Sequence, residues 1–301
     1  MELQQTAKPA NRYVLVVIAV YLFAQFALAF AGRYIHNVAV LGMALQIMLV
    51  LPVVIYLLIF KKKSRDVFFL NPPGIINALL GITIMLAMYP IGAFLSLITA
   101  QFIPNNVSSY LTAQSQANSV WVMLLGMAII PAIFEELSFR GVVFHSVKSS
   151  PRIKIVMSGV LFGLMHMNPS QLLYAIVLGM VLAFIMYYSK SIFTSIIGHC
   201  AVNSSSIILL FVAKNLPDTA NALQTEIDPS FVQSPEILLV MFLVMLASLP
   251  FLGLLIYIFL KHNKVTFEKT EKKKTKIFTW EFWTILAVYV IAIVISNKVL
   301  Q

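Results

Sequence analysis

The sequence predicts an all-α membrane protein, a polytopic transmembrane helix bundle of about nine spans. Of its 301 residues, 60% are hydrophobic and only 11% are charged, whereas a soluble domain is about 45–50% apolar and about 25% charged. The apolar residues fall into long runs separated by short polar loops. At about 1.5 Å per residue, each run is long enough to cross, or nearly cross, a hydrocarbon core of about 30 Å. We therefore expect residues 1–301 to form a single integral membrane domain.

The expected spans follow from these runs. The first is about 18 residues long, which exceeds the about 7–15 residues of a signal-peptide core, so we expect it to be retained. The fifth has only about 15 residues before the turn Asn168-Pro169-Ser170-Gln171 and is expected to end before the far interface. The spans are predicted at 13–30, 40–60, 74–100, 120–147, 153–167, 172–188, 192–213, 237–260 and 281–296.

Charge predicts the orientation of the bundle. Alternate loops are rich in lysine and arginine, whereas 101–119 has neither and 214–236 is net acidic. Because basic loops remain on the cytoplasmic side, this pattern predicts a cytoplasmic amino terminus. The net charge of +10 is assigned to contacts with anionic membrane lipid, and no nucleic-acid partner is expected. The basic residues of these loops are Lys8, Arg12, Lys61, Lys62, Lys63, Arg65, Lys148, Arg152, Lys154, Lys190 and those of 261–276.

Three polar clusters interrupt the apolar runs: 135–140, 162–166 and 199–203. Ionisable groups in hydrocarbon are costly and mark functional sites by default. Counted from the nearest basic anchor, Glu135 and Glu136 lie about 18–20 Å deep, His166 about 18 Å, His199 about 14 Å and Asn203 about 20 Å. Three helices therefore bring polar groups to one level. This predicts one cavity near mid-membrane, reached more easily from the cytoplasmic side.

Helical spacing separates the roles of these side chains. Glu136 and Arg140 are i,i+4 with the acid first, the favourable order for an ion pair, and such a pair neutralises itself. Glu135 is rotated by about 100° from Glu136 and is left as the freer carboxylate. His199 and Asn203 are also i,i+4, so they should project together.

These groups suit peptide hydrolysis. Glu135 would activate a water, while His199 and Asn203 would donate hydrogen bonds to the developing oxyanion. His166 would orient the water or protonate the leaving amine. Alternatively, Glu135, His166 and His199 would form a zinc site with an open fourth position. The sequence lacks His-Glu-x-x-His and does not choose between the two schemes, so the cofactor stays undetermined.

The motifs Glu-Glu-x-x-x-Arg, Phe-x-x-x-His and His-x-x-x-Asn, in this order on successive apolar segments, resemble the CPBP family of intramembrane proteases. That family includes the Ras-converting CAAX endopeptidase and many bacterial Abi-type proteins linked to bacteriocin processing and self-immunity. The resemblance covers roughly residues 120–206, the expected catalytic core. It implies an intramembrane endopeptidase of the bacterial cell membrane whose substrate is a lipidated or hydrophobic peptide or a membrane protein. The site residues it implies are Glu135, His166, His199 and Asn203, supported by Glu136 and Arg140.

Two other classes of function remain. A non-catalytic immunity or scaffold protein could bind a peptide or an enzyme through the same pocket. A proton-coupled transporter could use glutamate and histidine as a relay, although we find no internal repeat of the kind that many carriers show.

Overall fold

The structure is a computed structural model that describes residues 5–32, 34, 38–103, 107–216, 234–266 and 274–299. Within these ranges the chain is all-α, and extended pairing is limited to isolated bridges. The helices are α1 (Lys8–Ala31), α2 (Val38–Met48), α3 (Val50–Ile59), α4 (Ser64–Val67), α5 (Gly74–Ala87), α6 (Tyr89–Ala100), α7 (Val107–Ala117), α8 (Val120–Met123), α9 (Ile130–Glu136), α10 (Phe144–Ser146), α11 (Pro151–Met165), α12 (Pro169–Ser189), α13 (Ile192–Lys214), α14 (Pro235–His262) and α15 (Trp280–Val299).

Seven helical stretches among the described residues are long and apolar enough to cross a membrane. Several combine consecutive helices: Val40–Ile59 joins α2 to α3, Gly74–Ala100 joins α5 to α6, and Val120–Ser146 runs from α8 to α10. The shorter apolar stretch Trp280–Ile295 of α15 and the 15-residue helix α11 correspond to the two remaining expected spans. The all-α bundle of about nine apolar helices is thus confirmed, with α11 short as its sequence predicted.

Helix α7 was not predicted, because its polar composition is typical of a loop. Its serines and glutamines are compatible with a helix once a partner surface is present, and Ser115 is buried. The partner is the last turn of α13, where Lys214 Nζ donates to the Ser115 carbonyl oxygen at 2.9 Å. Tertiary contact therefore overrides local preference here.

The basic loops meet at one end of the bundle, which we call the basic end. Thr6 exchanges backbone hydrogen bonds with Lys148 and forms a bridge with Lys276, while Leu70 pairs with Ser191. The start of α1, the turn before α11, the turn before α13 and the segment before α15 therefore share this end. Whether the basic end is cytoplasmic remains a prediction, and the acidic positions of 217–233 lie outside the described residues.

Glycines allow the helices around the site to approach closely. A Cβ on Gly159 of α11 would lie 2.6 Å from the Ile176 carbonyl oxygen of α12, and one on Gly198 of α13 would lie 2.9 Å from the Gly81 carbonyl oxygen of α5. Side chains at these positions would push the backbones apart, as expected for small residues at membrane helix interfaces.

Candidate active site

The helix that carries both glutamates is irregular on either side of them. Helix α9 lies between two π-helical segments, Leu124–Ile129 and Leu137–Val143, and Glu135 and Glu136 are its last two residues. Wider π turns shift the side chains that follow them relative to a regular helix, and they occur frequently at functional sites. Sequence periodicity cannot show this, because a hydropathy pattern does not distinguish π-helical from α-helical hydrogen bonding.

Glu136 is the centre of a buried cluster of charged and polar groups. Its Oε1 lies 3.0 Å from Arg140 Nη1 and 3.0 Å from His199 Nδ1. The side chains of Glu136 and Arg140 are completely shielded from solvent. The structure thus contains the i,i+4 ion pair, and His199 of α13 joins it.

Arg140, which lies in the second π segment, also contacts α11 and α12. Its Nη2 donates to the Gly179 carbonyl oxygen of α12 at 3.1 Å, and its guanidinium carbon lies 4.3 Å from the centre of the Phe162 ring of α11. Gly179 permits this approach because a Cβ there would lie only 3.3 Å from Arg140 Nη2. Arg140 is therefore held by a carboxylate, a carbonyl and an aromatic face, which fixes Glu136 in turn.

Glu135 has a different environment from its neighbour. Its Oε2 lies 3.8 Å from His199 Nε2, and its side chain is 15% exposed, whereas that of Glu136 is fully buried. The two glutamates thus contact opposite nitrogens of one imidazole. Glu135 faces a cavity, and Glu136 faces the protein.

One nitrogen of each histidine ring is bound to the protein, and the other is left for chemistry. In each ring Nδ1 is directed at a protein oxygen, the Phe162 carbonyl oxygen at 2.9 Å for His166 and the Glu136 carboxylate at 3.0 Å for His199. An Nδ1–H that donates to such an oxygen leaves Nε2 as the second ring nitrogen for chemistry. Both rings also pack edge-on against Phe162.

Asn203 lies one turn beyond His199 on α13 and lines the same cavity. Its Nδ2 donates to the Met127 carbonyl oxygen at 3.4 Å. Met127 is four residues before Pro131, which has no N–H to donate to that carbonyl oxygen as a regular helix would. Asn203 therefore supplies the hydrogen bond that the Met127 carbonyl oxygen cannot receive from Pro131. The second amide hydrogen of Asn203 is left for another acceptor.

All four predicted catalytic residues line one cavity of about 430 Å³. A second cavity of about 310 Å³ adjoins it, and Glu135, Phe162 and His166 border both. The Glu135 carboxylate and the His166 imidazole thus lie at the boundary between the two cavities. The remaining polar residues that border both cavities, which we call the vestibule, are Tyr21, Gln46, Tyr110 and Gln171.

Sequence reasoning did not identify the vestibule. Gln46 is a polar residue inside an otherwise apolar span, which is a signal that could have been read. Tyr110 belongs to the unpredicted helix α7, and Gln171 was assigned to a turn. Tyr21 could not be told from an ordinary aromatic residue of the membrane interface.

The structure does not bring together a preformed zinc site. Among the described residues, no three histidine, cysteine, aspartate or glutamate side chains are close enough to hold one metal ion. Glu135, His166 and His199 share the cavity, but their arrangement does not fit a three-ligand site.

The comparison with known families matches the same region. Residues 117–205 match the family model described as "Type II CAAX prenyl endopeptidase Rce1-like". Neither a curated protein nor a solved structure gives a significant match to the chain. The matched segment contains all three motifs and every residue of the charged cluster. Over residues 117–205, the chain is therefore similar to the CPBP family of CAAX-type membrane proteases.

Proposed function

We propose that this protein is an intramembrane endopeptidase that hydrolyses a peptide bond in a membrane-associated or lipidated peptide or protein. The observation that carries the proposal is the difference in environment between two adjacent carboxylates. Glu136 is neutralised by Arg140 at 3.0 Å, whereas Glu135 faces a cavity with an imidazole nitrogen 3.8 Å away. A carboxylate at a cavity wall can accept a proton from water, and its buried neighbour cannot.

In the first step Glu135 accepts a proton from water as the water oxygen attacks the carbonyl carbon of the scissile bond. The carbonyl π bond breaks and its electron pair becomes the oxyanion of a tetrahedral intermediate. When the intermediate collapses, the C–N bond breaks and the leaving nitrogen takes up the proton held by Glu135, directly or through His166. The products are a carboxylic acid and an amine, so water has been added across the bond.

His199 stabilises the oxyanion when its own imidazole ring is protonated. Its Nδ1–H is directed at Glu136, so a second N–H at Nε2 exists only in the imidazolium. The free amide hydrogen of Asn203 is the second donor to the oxyanion.

The proposal is tested by incubating purified protein in nanodiscs with a panel of hydrophobic peptides and identifying new peptide termini by mass spectrometry. Fragments made by the wild type should be lost in Glu135→Ala and in His199→Ala. Glu236→Gln, at the start of α14 and outside the cavity lining, is the control for folding and should cleave normally. Identical fragments from wild type and both alanine variants would remove the proposal.

The same material separates the other schemes. If Glu135→Ala loses cleavage but still supports the cellular phenotype, the protein acts by binding, as an immunity or scaffold protein would. If a chelator abolishes cleavage and zinc restores it, the histidines and Glu135 bind a metal in the substrate complex. We expect neither result.

A further inference from the structure

The larger cavity follows one face of α13. The residues of α13 that line it are His199, Val202, Asn203, Ser206 and Ile207. Their spacing of three and four residues places them on a single face of the helix. From the first to the last, this face rises by about 12 Å. The cavity is therefore elongated along α13, and Ser206 adds a hydroxyl to the face that holds two of the predicted catalytic side chains.

The Ser206 hydroxyl is held by a tyrosine from a neighbouring helix. Tyr89, the first residue of α6, shares a hydrogen bond of 2.5 Å with Ser206 and accepts one of 3.1 Å from Ser205. The Ser205 hydroxyl also donates to the Val202 carbonyl oxygen at 2.8 Å. All of these groups lie in helical stretches that are apolar enough to span a membrane, where polar groups need partners. The three hydroxyl groups thus form a series that ends at the cavity wall.

The direction of these bonds follows from the number of hydrogens. A hydroxyl has one hydrogen to donate and two lone pairs with which to accept. Tyr89 accepts from Ser205 and lies outside the lining of both cavities, so its own hydrogen is satisfied only if it points at Ser206. Because Ser206 then accepts from Tyr89, the hydrogen of Ser206 is left for whatever the cavity holds.

The distance from the oxyanion site to Ser206 fits an extended peptide. In the proposed reaction the scissile carbonyl oxygen lies between His199 and Asn203, about 3 Å along α13 from His199. Ser206 is about 10–11 Å along the helix from His199, so the two positions are about 7–8 Å apart. In an extended peptide, carbonyls on the same side are two residues apart, which corresponds to about 7 Å.

We infer that Ser206, oriented by Tyr89, donates a hydrogen bond to the substrate carbonyl oxygen that lies two residues from the scissile bond. The inference rests on the proposed function, which supplies the position of the scissile carbonyl. A helical substrate does not fit, because its carbonyl oxygens accept bonds from its own backbone. The substrate is then a hydrophobic segment that is extended along α13 at the scissile bond. Ser206 is a residue that determines specificity, and Tyr89 is a positioning residue.

The inference is tested by peptide binding. Fluorescently labelled peptides of the same hydrophobic panel are titrated against Glu135→Gln in nanodiscs, a background in which bound peptide is not cut, and Kd is measured by anisotropy. Adding Ser206→Ala should raise Kd of the tightest-binding peptide by about 2–10-fold, the usual contribution of one neutral hydrogen bond. Ser206→Thr keeps the hydroxyl and should retain the affinity. Ser204→Ala, which removes a serine bonded to Cys200 and outside the cavity lining, is the matched control and should leave Kd unchanged.

A thioamide scan of that peptide identifies the carbonyl that Ser206 binds. Sulfur is a weaker hydrogen-bond acceptor than oxygen, so a thioamide at the bound carbonyl should raise Kd in the Glu135→Gln background. The same thioamide should have no further effect when Ser206→Ala is added, because the donor is then already absent. In a peptide that the wild type cleaves, this position should lie two residues from the scissile bond. A scan in which no position depends on Ser206 would overturn the inference.

Tyr89→Phe separates positioning from a merely structural contact between α6 and α13. It should raise Kd by less than Ser206→Ala does, since the serine hydroxyl remains but is no longer oriented. The double variant should bind no more weakly than Ser206→Ala, because Tyr89 acts only through Ser206. If Tyr89→Phe and Ser206→Ala lower Tm but leave Kd unchanged, the hydroxyl series only joins the helices and the inference is wrong.

Failure of this inference and failure of the proposed function give different results. Cleavage by the wild type together with an unchanged Kd in Ser206→Ala would overturn the inference alone. Binding that depends on Ser206 without any cleavage would remove the proposed function and leave Ser206 as a peptide-binding residue. A panel from which no peptide binds would overturn the inference as well.

Discussion

Two described regions of this protein contain a buried glutamate that faces an arginine. They differ in the solvent exposure of the arginine, in charge balance and in access to a cavity. At the site, Glu136 and Arg140 are both fully shielded from solvent and lie 3.0 Å apart. At the basic end, Glu281 of α15 is shielded, but Arg12 of α1 is 59% exposed, with the two groups 2.8 Å apart. The basic-end pair ties the first helix to the last, together with Asn11, which donates to the Thr279 hydroxyl at 3.1 Å.

The difference lies in charge balance and in access. The basic-end pair has one acid for one base and borders no described cavity. The site has a second acid, Glu135, which the arginine does not neutralise and which faces open space. An ion pair alone is therefore no sign of function in this molecule. The unmatched carboxylate beside it is the informative feature.

The largest expected effect comes from removing that unmatched carboxylate. Glu135→Gln should lower kcat by about 10²–10⁴-fold, the usual contribution of a general base, while Tm stays close to the wild-type value because a partly exposed group is replaced by an isostere. The matched control is Glu281→Gln, which removes a buried carboxylate beside an arginine and should leave kcat intact. Equal kcat losses in both variants would erase the distinction between the regions.

The next effect concerns the buried pair at the site. Arg140→Met leaves Glu136 without its cation, and breaking a buried ion pair costs about 3–5 kcal/mol. The free energy of unfolding in mixed micelles should fall accordingly. The double variant Glu136→Gln/Arg140→Met should recover part of this stability, since no lone charge is then buried, but it should not recover turnover. A double variant no more stable than Arg140→Met would show that the loss is not electrostatic.

A smaller effect is expected where α12 approaches Arg140. In Gly179→Ala the new Cβ would lie 2.9 Å from Gly159 Cα and 3.3 Å from Arg140 Nη2. Overpacking of this kind costs about 1–3 kcal/mol. Gly253→Ala, where a Cβ meets nothing within 4 Å, is the control and should not destabilise the protein. A neutral Gly179→Ala would mean that α11 and α12 separate more easily than their packing indicates.

The smallest effect is expected at the basic end. Arg12→Gln removes a cation that is mostly in solvent, and exposed pairs are worth below about 1 kcal/mol. The change in stability should shrink further in high salt, because screening weakens such pairs. A loss as large as that of Arg140→Met would show that this pair is effectively buried in the membrane-embedded protein.

The spacing of charged residues predicted much of the site. Because helical geometry is local, i,i+4 spacing was sufficient to pair Glu136 with Arg140 and to set Glu135 apart. The proximity of Glu135 to His199 was inferred from similar depth, about 18–20 Å and about 14 Å, which works only because membrane helices run roughly parallel. The π segments that flank α9 and the bond from Asn203 to the Met127 carbonyl oxygen were not predictable from spacing, since they depend on how a broken helix is completed by its neighbour.

The sequence by itself determined the all-α bundle, the short α11, the common basic end and the polar groups that reach mid-membrane, because hydropathy, helical rise and charge act along the chain. Only the tertiary structure decided which face of those groups is open. Packing of 138–144 against α1 and α11 fills the space around Arg140, whereas Tyr110 of α7 and Gln46 border the cavities at Glu135. These are contacts between residues far apart in sequence, and no local pattern contains the information that one space between helices is filled and the other is not.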